Sequence, residues 1–353
     1  MYVYFLQIVS LLVLGVIINN GTESRQKKNR GMMYVLFFVM FFVMAFRDIS
    51  VGVDTRNYSE MFNSVSRCSI SNIINNEGFM DKLLFVLLMK FSSLIFNSYY
   101  FFQIIFSVIF CIGVVNYLSK TSNDLFFCGL IFICCGLYLG SFNIQRQMLS
   151  TVILMNSLNC WIVKKKRKTF FLLVLACLLH LTSVIFILVY FIHNIVDKHP
   201  SIAKILPIVI LPFYYYYDTS LAYFSEHVNL YINYMDNHRE IQSAGGIMII
   251  WTLLIVLSLY ILYFRNNTPS LVKTSAIMAL IYVMTNLIGL KFNYFERIGV
   301  FFMPSVIIIY EYIFYCFKNR SRAQLYKVGM GISFVFYYYL SFISDQYVYK
   351  SFL

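Results

Sequence analysis

The residues best equipped for chemistry lie in one stretch, Arg47-Asp-Ile-Ser-Val-Gly-Val-Asp-Thr-Arg-Asn-Tyr58, directly after a fully apolar run. An arginine fork binds phosphate or carboxylate oxygens in pairs, so Arg47 and Arg56 suit an anionic ligand. Asp54 could take a proton from a substrate hydroxyl as a general base. It could equally close a turn in Gly52-Val-Asp-Thr55. Tyr58 follows Asp54 by four residues, which puts both on one face if this part is helical. A tyrosine here could also anchor a membrane interface, and so could Arg47.

Three further sets are scattered along the chain. Asn143, Arg146 and Gln147 lie in a short polar segment, Ser141–Gln147. His180 stands alone in the middle of the apolar run 169–196, where a hydrogen-bonded packing role is the plainer reading. Glu296 and Arg297 close the segment 291–297. Arginines gathered in one place need anions, supplied either by the chain's own acids or by a phosphate or pyrophosphate ligand. His193, Asp197 and His199 are metal-capable types, but they fall beside Lys198 and Lys204, away from the other sets.

The elements that position these residues follow from composition. The chain has 353 residues, 60% hydrophobic, 19% aromatic and only 12% charged, whereas soluble domains carry roughly 25% charged residues. This predicts an all-α polytopic membrane protein, a single integral domain over 1–353 with about 12 spans of ~20 residues each. The net charge of +13 sits in short basic runs between apolar segments. That is the positive-inside pattern, and it argues against nucleic acid. The first 18 residues lack a basic start and a small-residue cleavage site, and read as a retained span.

Basic runs then set the sidedness. Residues 25–30, 164–168 and 318–327 mark the cytoplasmic face. Loops at about 47–82, 141–147, 218–245 and 291–297 fall outside. Residues 80–97 carry Asp81, Lys82 and Lys90 and read as an interfacial amphipathic helix. Gly136-x-x-x-Gly140 is a weak signal for close helix approach. The run 169–196 has basic residues at both ends. Two short helices turning near His180 keep both ends inside, and such a turn requires a protein-lined or watery cavity. A span over 201–217 ends in Tyr214–Tyr217, an interface belt, and leads into the net-acidic loop 218–245. On this topology the arginines, Asp54, Tyr58 and His180 all face one external cavity.

Seven of the eight cysteines lie in apolar runs and Cys68 in a polar loop, with no C-x-x-C and no zinc spacing. There is no Walker A, G-x-S-x-G or H-E-x-x-H motif. Nothing calls for an organic cofactor or a metal.

Phe46-Arg-Asp-Ile-Ser-Val-Gly-Val-Asp-Thr-Arg-Asn-Tyr-Ser-Glu-Met-Phe62 resembles the Arg…Gly-x-Asp-x-x-x-Tyr-x-x-x-Phe signature of the EpsG-type Wzy family of bacterial polysaccharide polymerases. Asn143-Ile-Gln-Arg-Gln-Met-Leu-Ser150 is similar to that family's Asn-x-x-Arg-Gln-x-x-Ala, with serine for alanine. Leu179-His-Leu-Thr-Ser183 resembles its Phe-His-x-Ser element, with leucine for phenylalanine and one extra residue. Asn293-Tyr-Phe-Glu-Arg297 resembles its late arginine segment. The four matches keep family order and span most of the chain.

The resemblance implies a GT-C-like membrane glycosyltransferase of the bacterial cytoplasmic membrane, its site facing the periplasm or exterior. It would join undecaprenyl-pyrophosphate-linked repeat units of an O-antigen, capsule or exopolysaccharide. Arg146 and Arg297, helped by Arg47 or Arg56, would hold the pyrophosphate. Asp54 or His180 would be the base, and Tyr58, Asn143, Gln147 and Glu296 would position substrate. By analogy a chain-length regulator and a flippase would be partners. The competing functions are a single-addition glycosyltransferase or ligase, and a lipid-linked oligosaccharide flippase. A flippase would spread its charges along the spans, whereas here they collect at one face.

Overall fold

The computed structural model describes residues 2–208, 245–265, 267–290, 293–343 and 347–352. Among these residues the regular structure is helical, and strand-like pairing is confined to one antiparallel bridge between Arg47 and Ser351. The chain forms two compact units, Met1–Val184 with Phe314–Leu353, and Ile185–Ile313.

In the first unit, α1 (Tyr2–Asn20) and α2 (Arg25–Ala45) pack side by side. The polar Gly21–Ser24 link ends the apolar α1, and α2 opens on Arg25, Lys27, Lys28 and Arg30. Lys28 reaches back to the Asn19 carbonyl at 2.8 Å. The expected loop 47–82 is mostly helical: α3 (Thr55–Arg67), α4 (Ile70–Asn75) and a 3-10 turn, Glu77–Lys82. Next come α5 (Leu83–Ile95) and α6 (Tyr99–Thr121). Lys90 on α5 is buried and donates to the Ser66 carbonyl at 2.8 Å, so α3 accommodates this charge of the 80–97 segment.

α7 (Leu125–Cys134) and α8 (Leu137–Asn143) form one apolar rod bent by 43°. The bend is at Gly136, whose φ of +99° an L side chain rarely adopts. Gly136 therefore breaks a helix, a different role from the close-approach pair expected with Gly140. Only Ile144 separates α8 from α9 (Gln145–Ile162), so 141–147 is a helix junction and not an open loop. α9 and α10 (Lys166–Leu179) pack as a hairpin around Val163–Lys165. The last helix of this unit, which we label α16 (Arg320–Phe342), packs on α7. There Lys327 pairs with Asp124 among the rings of Phe126, Phe127 and Phe314. Gln7 ties α1 to both α2 and α16, donating to the Val39 carbonyl and accepting from the Tyr338 hydroxyl.

The unit is polarised. Gln103 of α6 donates to the Ala45 and Arg47 carbonyls, so α2 and α6 run antiparallel. The α2 C-terminus, the α6 N-terminus and the α8–α9 junction meet at one end. Residues 25–30, Lys120 and 164–168 occupy the other ends of these helices, and Lys327 of 320–327 pairs with Asp124 at the start of α7. The grouping expected from the basic runs is therefore built into the helix polarity.

The second unit holds α11 (Ile187–Lys198), α12 (Gly245–Phe264), α13 (Ser270–Gly289), α14 (Asn293–Gly299) and most of α15 (Ser305–Cys316). α13 packs against α11, α12 and α14. His193 bonds Thr274 at 3.1 Å, and Asp197 accepts from Ser270 at 2.7 Å. Residues 293–297 are helical, in place of the expected loop.

Among the described residues, five helices are long and apolar enough to cross a membrane: α1, α2, α6, Leu181–Lys198 and α13. The bent α7–α8 pair makes six. This is fewer than the dozen expected, because breaks at Gly136, His180 and residues 300–304 divide apolar runs, and α9 carries polar residues. Tyr214–Tyr217 and most of 218–245 lie outside the described residues.

Candidate functional site

The Arg47 side chain is fully buried, which removes it from any role as an exposed interface anchor. Its guanidinium lies 4.5 Å from the Phe142 ring centroid, and Nη1 donates to the Met44 carbonyl at 2.5 Å. Nε and Nη2 have no hydrogen-bond partner, and no carboxylate pairs with Arg47 among the described residues. Burial pushes its pKa down against the opposing pull of Tyr99, Tyr138, Tyr4 and Tyr349, but a guanidinium keeps its charge in proteins. An aromatic face offsets part of the desolvation cost of such a cation.

From Arg47 the chain folds into a loop held by its own side chains. The Asp48 carboxylate accepts from the Ser50 amide at 2.9 Å and the Tyr100 hydroxyl at 3.0 Å. Burial alone would raise its pKa, but hydrogen bonds from Ser50, Tyr100 and Ile49 hold it below the ordinary value. Gly52 has φ +95°. A Cβ there would meet Asn143 Oδ1 and the Phe142 carbonyl, both at 2.8 Å, so only glycine permits this docking. The Val53 amide donates to Asn143 Oδ1 at 2.8 Å. Thr55 Oγ1 lies 2.8 Å from the Val51 carbonyl and 3.0 Å from that of Phe142. The loop is thus fixed on the C-terminal turn of α8.

Asp54 is the N-cap residue of α3, yet its side chain makes no capping bond. Its carbonyl accepts the Tyr58 amide at 3.0 Å, and the carboxylate is half-buried. The backbone therefore makes the turn, leaving the carboxylate for other work. On α3, Thr55, Tyr58, Phe62 and Val65 form the buried face, with Tyr58 packed on Phe85 at 5.6 Å. Arg56 is exposed.

The Arg146 and Asp54 charges both lie close enough to the Tyr58 hydroxyl to act on it. Burial pushes the Tyr58 pKa up, Arg146 draws it back, and Asp54 raises it further. Arg146 is in the first turn of α9, where unpaired amides and the helix dipole already favour anions. Its Nη1 is 3.4 Å from Asp81 Oδ2, and its Nε has no hydrogen-bond partner. Asp81 also faces Lys82 at 3.4 Å.

Asn143 spends its amide on structure: Oδ1 holds Val53, and Nδ2 donates to the Tyr347 hydroxyl at 2.7 Å. Gln147 is buried in the first turn of α9. His180 ends α10 in an extended conformation before a 3-10 turn, Leu181–Phe186, giving the helix break expected there. Ser183 of that turn bonds Ser150, one helical turn beyond Arg146. α10 also packs against the turn that carries Asp81. Asp54, Tyr58, Asp81 and Arg146 therefore form one cluster, with the His180 break built onto the same helix, α9. Glu296 and Arg297 are exposed on α14 of the second unit.

Several contributors escape sequence reasoning. Asp48 lies inside the opening stretch, but its partner Tyr100 is distant in sequence. Asp81 reads as an obstacle to a membrane span and not as an anion facing Arg146. Tyr99, Gln103 and Gln145 look like ordinary helix residues; Gln145 donates to the Tyr99 hydroxyl at 3.1 Å. No group of three metal-ligating side chains occurs among the described residues.

No curated protein and no solved structure matches the chain. The EpsG family model matches residues 31–353, which include the loop, the α8–α9 junction, the His180 break and α14. A match over nearly the whole chain settles the question the four motifs raised: this protein belongs to the EpsG family.

Proposed function

We propose that this chain is a polysaccharide polymerase that joins undecaprenyl-pyrophosphate-linked repeat units on the external face of the cytoplasmic membrane. A GT-C-like architecture is part of the same reading. The observation that carries it is the cluster at the α9 N-terminus. There Arg146 is offered to an anion with only a long contact to Asp81, beside the buried hydroxyl of Tyr58 and the carboxylate of Asp54.

The reaction needs these parts. A hydroxyl of the acceptor glycan attacks the anomeric carbon of the donor. The sugar–pyrophosphate bond breaks, and the lipid pyrophosphate leaves as an anion. Arg146 and the α9 amides stabilise the charge that develops on it. Asp54 takes the acceptor proton, with His180 the second candidate. Arg56 and Arg297 are the remaining arginines proposed to serve the pyrophosphate, whereas Arg47, fully buried against Phe142, supports the loop from beneath. Tyr58, Asn143, Gln147 and Glu296 set the geometry. The bilayer supplies both substrates; a flippase and a chain-length regulator are the partners this role needs.

The polarity of the first unit supports the sidedness. Its basic runs lie at the opposite end from the cluster, as an external site with cytoplasmic anchors requires. The test is Arg146→Ala expressed in place of the native chain. We expect the protein to insert normally, long-chain glycan to disappear and the single-repeat product to persist. Normal chain-length ladders would overturn the reading, and loss of the single-repeat product would favour a flippase or ligase.

A further inference from the structure

We propose that Tyr347–Phe352 is a positioning segment of the active site, which clamps the Arg47–Asp54 loop at both ends. The proposal rests on the polymerase reading of that loop. Two groups of contacts carry it. At one end the segment pairs as a strand with residues 46–48. The Asp48 amide donates to the Lys350 carbonyl at 2.8 Å, and the Phe352 amide donates to the Phe46 carbonyl at 3.3 Å. Ser351 Oγ donates to the same Phe46 carbonyl at 3.0 Å. Phe352 stacks on Tyr100 with ring centroids 4.0 Å apart, and Tyr100 in turn holds the Asp48 carboxylate.

At the other end the Tyr347 hydroxyl takes a hydrogen bond from Asn143 Nδ2. The Val53 N–H can only donate, so it turns Oδ1 toward itself, and Nδ2 is then held by the Tyr347 hydroxyl, which anchors the amide from its other side. A flipped amide would aim NH2 at the Val53 N–H and lose that bond. Tyr347 therefore sets the height of the Gly52–Val53 backbone, which leads directly into Asp54. The inward side chains alternate as a strand requires: Tyr347 is buried and Tyr349 packs on Tyr4, whereas Val348 and Lys350 are exposed. Tyr347 acts on the loop through Asn143.

The experiment uses the full chain carrying Tyr347→Phe, and a second variant ending after residue 346. Two measurements are made. The first is hydrogen–deuterium exchange of the detergent-solubilised protein, and the second is the surface glycan ladder at matched membrane levels. Tyr347→Phe removes one hydrogen bond, and we expect amides of residues 48–55 to exchange ~5-fold faster, with α2 and α6 unchanged. Long-chain glycan should fall while the single-repeat product persists, and the truncated variant should show both effects more strongly. Unchanged exchange in both variants would overturn the clamp, and faster exchange with normal ladders would overturn its role in positioning. Deletion of the whole chain with no change in ladders would instead sink the polymerase reading itself.

Discussion

The hydroxyl of Tyr58 lies against Arg146, joining the first turn of α3 to the first turn of α9. Tyr58→Phe keeps the packing on Phe85 and removes only this contact. Loss of a buried polar group beside a charge costs about 1–3 kcal/mol, so turnover should fall ~10-fold or more. Burial, which leads the causes, raises the Tyr58 pKa in the folded state. The unfolded chain therefore releases this proton first, near pH ~10. Stability from Tyr58 is complete below that value and is lost as pH rises above it. Thermal unfolding measured across the alkaline range should show a shallower decline in Tyr58→Phe.

Asp54→Asn and His180→Ala separate the two candidate bases. Asp54 acts electrostatically on Tyr58 at the Arg146 cluster, so its amide variant should lose ~100-fold or more in rate. His180→Ala should lose less. Initial-rate kinetics in membrane vesicles would decide, and the reverse order would move the base to His180.

Asp81 is the anion that faces Arg146 in the free protein, at 3.4 Å and partly exposed. Exposed pairs contribute about 0.2–1 kcal/mol. Asp81→Asn should therefore tighten binding of inorganic pyrophosphate by up to ~5-fold, as measured by calorimetry on the solubilised protein. Weaker binding would mean that Asp81 helps to shape the site rather than competing for it.

Gly52→Ala places a methyl group 2.8 Å from both Asn143 Oδ1 and the Phe142 carbonyl, at a φ of +95°. The backbone term alone costs ~1 kcal/mol or more, and the loop must also leave α8. We expect a normally inserted protein with a lower melting temperature and no long-chain glycan.

Asp48 is held below its ordinary pKa by hydrogen bonds that outweigh burial. The folded state therefore keeps the carboxylate ionised where the unfolded chain has begun to protonate. Its contribution is present above the ordinary carboxylate pKa and is lost as pH falls through the lower folded value. Asp48→Asn should flatten the acid limb of a stability–pH profile.

How far the sequence could be read depended on the range of the contacts. Tyr58, Arg146 and the His180 break stood out because polar residues in an apolar chain are conspicuous. The opposed ends of α2 and α6 followed from basic runs alone. Gly136 misled, because a glycine four residues from another fits a packing motif as well as a bend. The burial of Arg47 was hidden, because it depends on Phe142 and on tyrosines drawn from four separate segments. Asp81 and Tyr347 were hidden for the same reason: their partners are distant in sequence and no local pattern marks them.

α2 carries one further consequence. Its charged start runs to Arg30, and its apolar part ends before Arg47. Tyr34, Phe38 and Phe42 point outward along one side of it. Those 16 or so residues span only ~24 Å, against ~30 Å of hydrocarbon. A bilayer that thins to meet so short a span brings lipid phosphates toward the level of the Arg47–Tyr58 loop. On the polymerase reading, reconstitution into longer-chain lipids should therefore slow turnover without altering any residue of the site.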